Sequence, residues 1–406
     1  MNQLSMFNEY TNDGGELVHQ LETFDHFGKK TQLEMMGEIP YYINEFWTAA
    51  QRQGHSIHEI SYRACFKSQL PEFFISRLTK HQELVCDPFM GRGTTPVQAA
   101  LMGRGAIGND INPLSVLLTK PRMAKIDIED IKWVLSKIDW DNGDLSSEEL
   151  LAFYHPNTLK KLESLKVWIA KERNNTNFPK NVVGWIQMVS LNRLSGHSSG
   201  FFSGRSMPPN QAVSVKSQMK INEKLGIKPP ERDIPAIIIK KSKSLLRNGC
   251  VETENFSQLL TGAAWDMADV KDGSVALTVT SPPFLDIVQY AADNWLRCWF
   301  ADIDPTSVAI DSHKTEKAWT EMVRAVLVEQ QRILRSGGFV AFEVGEVRQG
   351  KILLEQLVWK AAEGLAFDRL GVMVNDQKFT KTANCWGVSN GSKGTNTNRI
   401  VLLQRH

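Results

Sequence analysis

Glu83-Leu-Val-Cys-Asp87 is a short apolar run that leads into Pro88-Phe-Met-Gly-Arg-Gly-Thr-Thr95. After it, Pro96-Val-Gln-Ala-Ala-Leu-Met102 ends at Gly103, and Ala106-Ile-Gly-Asn-Asp-Ile111 follows. The first run is bounded by turn residues and has the length of a buried strand. Gly91 and Gly93 have no side chain, so the backbone there can turn tightly and approach a ligand closely. The stretch to Met102 has helical composition with a glycine stop. Strand, glycine turn, helix and strand within about 30 residues make a βαβ unit with parallel strands.

Working outward, Ser61–Lys80 predicts a helix after a short entry loop, with Leu70, Phe73, Phe74 and Leu78 on one face. The preceding residues are weakly patterned, with helical stretches expected around Glu16–Phe24 and Tyr41–Gln51. Ile128–Ile138 and Thr158–Ala170 read as amphipathic helices, and residues 189–210 as a Gly/Ser/Pro-rich loop. Strand signals return at Val275–Thr280, Phe339–Val344, Arg369–Val374 and Arg399–Leu403, with helices expected over Met322–Leu334 and Ile352–Leu365. The expected fold class is α/β, a doubly wound, mostly parallel, Rossmann-like sheet with a helical and loop-rich insertion. The divisions are an N-terminal extension (1–54), a first part of the α/β domain (55–120), an inserted region (121–250) and a second part (251–406).

Composition narrows the class. With 42% hydrophobic and 23% charged residues in 406, the chain is neither a disordered segment nor a coiled coil. Five Cys without a C-x-x-C pair argue against a zinc ribbon or a disulfide framework. His55 and His58 could suggest a metal, but no carboxylate or Cys completes a site with them, so no metal is expected. No run of about 18 apolar residues occurs, and Met1–Tyr10 lacks the marks of a signal peptide. A cytoplasmic location is expected.

The glycine turn opens a helix, whose free N–H groups suit an anionic group such as a carboxylate. Asp87 closes its strand, where it can accept from an ammonium, and Asp110 closes the next, where it can bind a ribose diol. An amino acid joined to a nucleoside meets all three demands, which points to S-adenosyl-L-methionine. A bare glycine turn in any α/β protein is the simpler alternative. No G-x-x-x-x-G-K-[ST] is present, which disfavours a nucleoside triphosphate, and Pro96 stands where a G-x-G-x-x-G would need its third glycine.

Thr280-Ser-Pro-Pro-Phe284 follows an apolar strand. Its prolines fix φ and lack N–H, so the loop presents carbonyl oxygens in set directions. Ser281 Oγ and the Pro282 carbonyl can accept two hydrogens of an exocyclic amine, and Phe284 can stack on the ring that bears it. The plain alternative is a proline turn with a core Phe.

These two motifs together resemble the amino-directed (N4-cytosine/N6-adenine) DNA methyltransferases. Asp87-Pro-Phe-Met-Gly-Arg-Gly-Thr-Thr95 resembles their cofactor motif, Thr280-Ser-Pro-Pro-Phe284 their catalytic motif, and Ser61–Pro71 the segment that helps close the cofactor pocket. The likeness covers roughly 55–120 and 255–406. It implies cofactor contacts at Phe66, Asp87, Phe89, Gly91, Gly93, Thr94, Asp110, Ile111 and Asp266, and catalytic roles for Ser281, Pro282, Pro283 and Phe284. Asp266 is included because the family usually has Gly-Asp before the catalytic strand, where this chain has Gly262-Ala263; Ala276 likewise replaces an acid often found in that strand. Ser-Pro-Pro is more typical of the N4-cytosine type, so the expected activity is methyl transfer to cytosine N4, with N6-adenine and RNA amino methylation as alternatives. A DNA-binding module with a degraded cofactor site is the non-enzymatic alternative. No Pro-Cys pair occurs, which disfavours ring-carbon methylation of cytosine.

The expected macromolecular partner is double-stranded DNA, with a cognate restriction endonuclease beside it. Between Arg205 and Cys250, ten Lys or Arg and three Asp or Glu give +7, which leaves −5 for the rest of a chain whose total is +2. Lys216, Lys220, Lys224 and Lys228 recur every four residues, and Lys240, Lys241, Lys243 and Arg247 form a second cluster. Such segregation suits phosphate contacts, although any single Lys is more simply a solvated surface residue. Arg193, His197 and Arg205 lie on the Gly/Ser-rich loop with Phe201 and Phe202, which would either wedge into bases or anchor the loop to the core.

Overall fold

A computed structural model describes residues 10–47, 54–62, 65–173, 175, 177–206, 212–251, 256–283, 285, 290–306, 308, 313, 315–347, 352–376 and 397–406. In chain order the strands are β1 (Gln32–Met36), β2 (Ile39–Asn44), β3 (Leu84–Asp87), β4 (Gly105–Asp110), β5 (Ser257–Thr261) and β6 (Val275–Thr280). They continue with β7 (Leu334–Val344), β8 (Glu346–Val347), β9 (Ile352–Leu353), β10 (Phe367–Asp376) and β11 (Thr397–Arg405). The helices are α1 (Gly14–Glu22), α2 (Gln69–Leu78), α3 (Thr94–Leu101), α4 (Leu114–Thr119), α5 (Ile128–Leu135) and α6 (Pro156–Glu172). After them come α7 (Lys180–Leu191), α8 (Val215–Leu225), α9 (Ile234–Leu245), α10 (Tyr290–Ala301), α11 (Glu316–Ile333) and α12 (Leu354–Ala361).

One sheet runs in the order β1-β2-β10-β11-β7-β6-β3-β4-β5, and β8 pairs with β9 separately. Its centre, β7-β6-β3-β4-β5, is parallel throughout. That explains the composition of β3 and β6: strands covered on both faces are continuously apolar, and all six residues of β6 are buried. From β3 the chain winds outward through β4 to β5, then returns on the other side of β3 with β6 and β7. The order therefore reverses between β3 and β6, and in such sheets the crevice at the carboxyl ends of these strands is where ligands bind.

Three apolar clusters hold the layers. One packs Trp319, Val323, Val326 and Leu327 of α11 on Val340 and Phe342 of β7; a second sets Phe74 and Leu78 of α2 beneath Leu277 and Val279 of β6. The third is helical: Ile131, Leu159, Leu162, Trp185, Ile186 and Ile238 from α5, α6, α7 and α9, joined by Leu296 and Phe300 of α10.

The helix expected over Tyr41–Gln51 is corrected at its start. Tyr41, Tyr42 and Ile43 lie in β2, parallel to Val372, Met373 and Val374 of β10. Bulky β-formers are driven there because β10 offers an open edge and both tyrosines are then buried. Helices α7 and α10 carry no expectation from the sequence; α7 is buried along most of its length, and α10 buries Asp293, Asn294 and Arg297 among its apolar residues. Among the described residues no helix is long and apolar enough to cross a membrane.

Candidate active site

The cofactor turn is built from its glycines and two carboxylates. Gly93 caps α3 with φ 76°, a left-handed conformation that suits glycine. A Cβ there would also lie 2.2 Å from Thr119 Oγ1, so only glycine fits. Gly91, at φ 49°, donates its N–H to Asp110 Oδ2 at 2.8 Å, and Asp110 Oδ1 accepts from Asn112 N–H at 2.9 Å. The loop after β3 is thus tied to the end of β4, and Ile111 follows directly.

Asp87 is 1% exposed. Its Oδ1 accepts from Phe89 N–H at 3.1 Å and from the Thr280 hydroxyl at 2.6 Å. Burial pushes its carboxyl up to about 7, against the opposing pull of these donors and of Thr95, and with a further upward push from Asp110. Burial raises Asp110 as well. Thr95 reinforces the junction by donating to the Val279 carbonyl at 3.0 Å.

Two arginines close the turn from outside. Arg92 donates to the Ile60 carbonyl at 2.7 Å, to Phe66 O at 3.2 Å and to Thr94 Oγ1 at 3.2 Å. Fully buried Arg122 donates to the carbonyls of Leu118, Ile57 and Arg92. Burial, and then the neighbouring Arg92 charge, lower Arg122 to about 9. The segment before α2 is held against the cofactor turn in this way, which brings Phe66 to it. His58 faces Gln98 of α3 at 2.9 Å and is held down to about 3, chiefly by burial, so it is a neutral packing residue.

Asp266, the expected adenine-side acid, donates its N–H to the Ala263 carbonyl at 3.1 Å. Gly262 N–H donates to the Asp110 carbonyl at 3.1 Å, so Gly262-Ala263 adjoins the end of β4. The Asp266 side chain is exposed, and the N–H of neighbouring Met267 is taken by Glu329 of α11 at 2.8 Å.

The loop expected to be catalytic leaves β6, the strand next to the one that Asp87 ends. Ser281 is partly exposed, Pro282 buried and Pro283 partly exposed; Phe284 lies outside the described residues. Trp319 Nε1 of α11 donates to the Pro283 carbonyl at 2.9 Å, so of the two proline carbonyls this one already has a donor. Asn398 Nδ2 donates to Glu343 Oε1 of β7 at 2.9 Å, and burial raises the Glu343 carboxyl above the usual glutamate value against the opposing pull of Ser281 and Asn398. Sequence reading missed Thr280, Trp319 and Glu343. Only Glu343, an acid inside the apolar run Phe339–Val344, left a signal.

Of the residues expected to meet DNA, Lys216, Lys220 and Lys224 are exposed on α8, whose end is set by Gly226 at φ 60°. Lys240, His197 and Arg205 are exposed too. Lys241 instead donates to the Glu59 carbonyl at 2.7 Å, and burial lowers it to about 8. Arg193 lies 4.1 Å over the Phe201 ring and donates to the Asn192 carbonyl at 2.7 Å. Phe201 and Phe202 are 7% and 0% exposed, so the wedge reading is corrected: both anchor the loop. The loop is packed because apolar surface near the helical core is removed from water. Among the described residues no cluster of metal-binding side chains occurs.

A family model for DNA methylases of the N6/N4 type matches residues 22–120. The type II methyltransferase M.MjaII of Methanocaldococcus jannaschii is 41% identical over 81 residues, 20% of this chain and 15% of that protein. M.BsoBI of Geobacillus stearothermophilus is 19% identical over 305 residues, 69% of this chain and 59% of the relative. M.MvaI of Kocuria varians is 26% identical over 155 residues, 37% and 30% of the two chains. The chain thus spans less than two thirds of each of these relatives. Carboxylates at two adjacent strand ends and a helix N-terminus fit the ammonium, ribose and carboxylate of S-adenosyl-L-methionine. Residues 22–120, which hold that donor set on the doubly wound sheet, are thus similar to the amino-directed DNA methylases.

Proposed function

We propose that this protein is a site-specific DNA methyltransferase acting on the exocyclic N4 amine of a cytosine flipped out of duplex DNA. The observation that carries the reading is the hydrogen bond between Thr280 and Asp87, which sets Ser281-Pro282 beside the cofactor turn at the switch point of the sheet. Bound S-adenosyl-L-methionine supplies an electrophilic methyl group. Asp87, Asp110, the glycine turn and Phe66 hold it, with Phe89, Thr94 and Ile111 lining the turn and Asp266 at its margin. Ser281 Oγ and the Pro282 carbonyl accept the two amine hydrogens, which favours the tetrahedral nitrogen that attack requires. Phe284 stacks on the base. Because an in-line approach is needed, positioning supplies much of the acceleration. Extruding the base costs on the order of a few kcal/mol, offset by contacts in the pocket.

Exposed Lys216, Lys220, Lys224, Lys240 and Arg205 supply phosphate contacts in this reading, and the helices between β4 and β5 form the target-recognition part. A cognate restriction endonuclease is the expected partner. Nucleoside mass spectrometry of DNA methylated by the purified protein tests the reading. N4-methylcytosine that disappears with Ser281→Ala supports it; N6-methyladenine moves the assignment to adenine, and methylation of RNA alone overturns it.

A further inference from the structure

We propose that Arg297 is a positioning residue of the S-adenosyl-L-methionine site, holding Tyr62 against the glycine turn from the helix that follows the Ser-Pro-Pro loop; this rests on the reading of Asp87–Thr95 as the cofactor turn. Tyr62 lies in the segment before α2, and its ring flanks the turn: Tyr62 Cε1 is 3.6 Å from the place that a Cβ on Gly91 would take. The ring is partly exposed, so it offers a bound cofactor an aromatic wall. Gly91 itself is fixed by Asp110, which accepts its N–H at 2.8 Å.

Arg297 belongs to α10 and is 5% exposed. Its Nη2 donates to the Ser61 carbonyl at 2.9 Å and its Nη1 to Asn294 Oδ1 at 2.8 Å. Its guanidinium carbon stands 5.7 Å from the centre of the Tyr62 ring. That is within the ~6 Å over which a cation is drawn to an aromatic face. Asn294, a helical turn earlier, takes one prong of the guanidinium, which leaves the other for Ser61. The Ser61 N–H is held as well: it donates at 3.0 Å to Oδ1 of Asn192, the buried residue that caps the end of α7. One residue earlier, the Ile60 carbonyl is taken by Arg92 of the cofactor turn. The chain entering Tyr62 is thus tied to the turn by Arg92 and to two helices by Asn192 and Arg297. Helix α10 is a firm support for this grip. Trp295 Nε1 donates to the Ala212 carbonyl and Trp299 Nε1 to Ser147 Oγ, each at 3.0 Å, and Leu296 and Phe300 pack in the helical core. Without the guanidinium, the Ser61 carbonyl loses its donor and the Tyr62 ring loses its backing, so the wall beside Gly91 is no longer set.

The test is calorimetric titration of the whole chain with S-adenosyl-L-methionine in a double-mutant cycle of Arg297→Met and Tyr62→Leu. Arg297→Met keeps an apolar stem and removes the fork; Tyr62→Leu removes the ring. Arg297→Met is expected to weaken binding about 10-fold, the scale of one hydrogen bond from a charged donor. In the Tyr62→Leu background the same change should weaken it less than about 2-fold, because the wall that Arg297 holds is already gone. Thermal melts are recorded alongside: an arginine that serves stability alone lowers the melting temperature without this non-additivity in affinity. Equal losses of affinity in both backgrounds, or a wild-type affinity in Arg297→Met, overturn the inference. If Arg297→Met does not fold, the cycle is run with Arg297→Lys, whose single ammonium lacks the fork that spans Asn294 and Ser61; the same non-additivity is expected, and additive losses overturn the inference equally. Wild-type protein that binds no S-adenosyl-L-methionine removes the cofactor reading together with the inference, whereas additive losses beside normal wild-type binding remove the inference alone.

Discussion

Thr280, the last residue of β6, donates a 2.6 Å hydrogen bond to Asp87, the last residue of β3. A buried carboxylate at the end of β3 is thereby fastened to the residue that precedes Ser281, so in the proposed reading methyl-donor binding and base capture share one junction. Thr280→Val keeps the shape and removes the donor. Losing one donor to a buried acid costs about 1–3 kcal/mol. Thermal melts should show the loss, and calorimetry a weaker affinity for S-adenosyl-L-methionine; an unchanged melt and affinity would show the bond to be incidental.

Asp87 also sets a pH dependence. Its folded pKa, about 7, lies above the ordinary 3.8, so the fold favours the protonated form. Its contribution to stability is therefore complete below 3.8 and is lost as pH rises toward about 7. An ammonium partner favours the opposite, ionised form. Cofactor affinity should rise as pH increases through that range, with proton release on binding, and the isosteric Asp87→Asn should bind weakly with a flat profile. Calorimetry in buffers of different ionisation enthalpy reads the proton directly, and zero release in the wild type would remove Asp87 from contact with the ammonium.

Gly93→Ala combines two faults, a left-handed φ of 76° and a Cβ 2.2 Å from Thr119 Oγ1. The backbone part alone is worth about 1–3 kcal/mol. Adding Thr119→Gly should restore the steric share of the lost stability and leave the conformational share. Full recovery in denaturant titrations would show that the φ requirement is weaker than this.

Trp319 holds the Ser-Pro-Pro loop through the Pro283 carbonyl. Trp319→Phe keeps the packing and deletes the donor. Turnover should fall roughly 10-fold or more as the loop shifts, while cofactor affinity stays unchanged. Equal losses in both quantities would point to general unfolding of α11 instead.

The lysines of α8 are exposed, so their replacement should leave stability nearly unchanged. For Lys216→Ala, Lys220→Ala and Lys224→Ala combined, the slope of log K against log salt should fall by about 0.9 for each phosphate contact removed. An unchanged slope would place the DNA on another face. Lys241→Ala, by contrast, should act on stability, since its ammonium holds the Glu59 carbonyl.

Much of the cofactor half was legible in the sequence because its determinants are adjacent in the chain. Strand, turn, helix cap and following strand occupy Leu84–Asp110 and obey local rules of periodicity and backbone conformation. The four-residue lysine repeat was legible for the same reason, and its first three members fall on α8. Phe201 and Phe202 were not, since a Gly/Ser-rich context gives no sign of which core lies beneath it.

By itself the sequence determined the β3-α3-β4 unit, the Ser-Pro-Pro turn after an apolar strand and the segregation of positive charge. Tertiary structure alone decided that Asp87 and Thr280, 193 positions apart, end on neighbouring strands. It also decided that Asn398 of β11 meets Glu343 of β7, and that Tyr41 and Tyr42 extend a sheet rather than a helix. The reason is physical: local conformation is set by near neighbours along the chain, whereas the partner of a buried polar group is set by which strand the packing of the whole sheet brings alongside it.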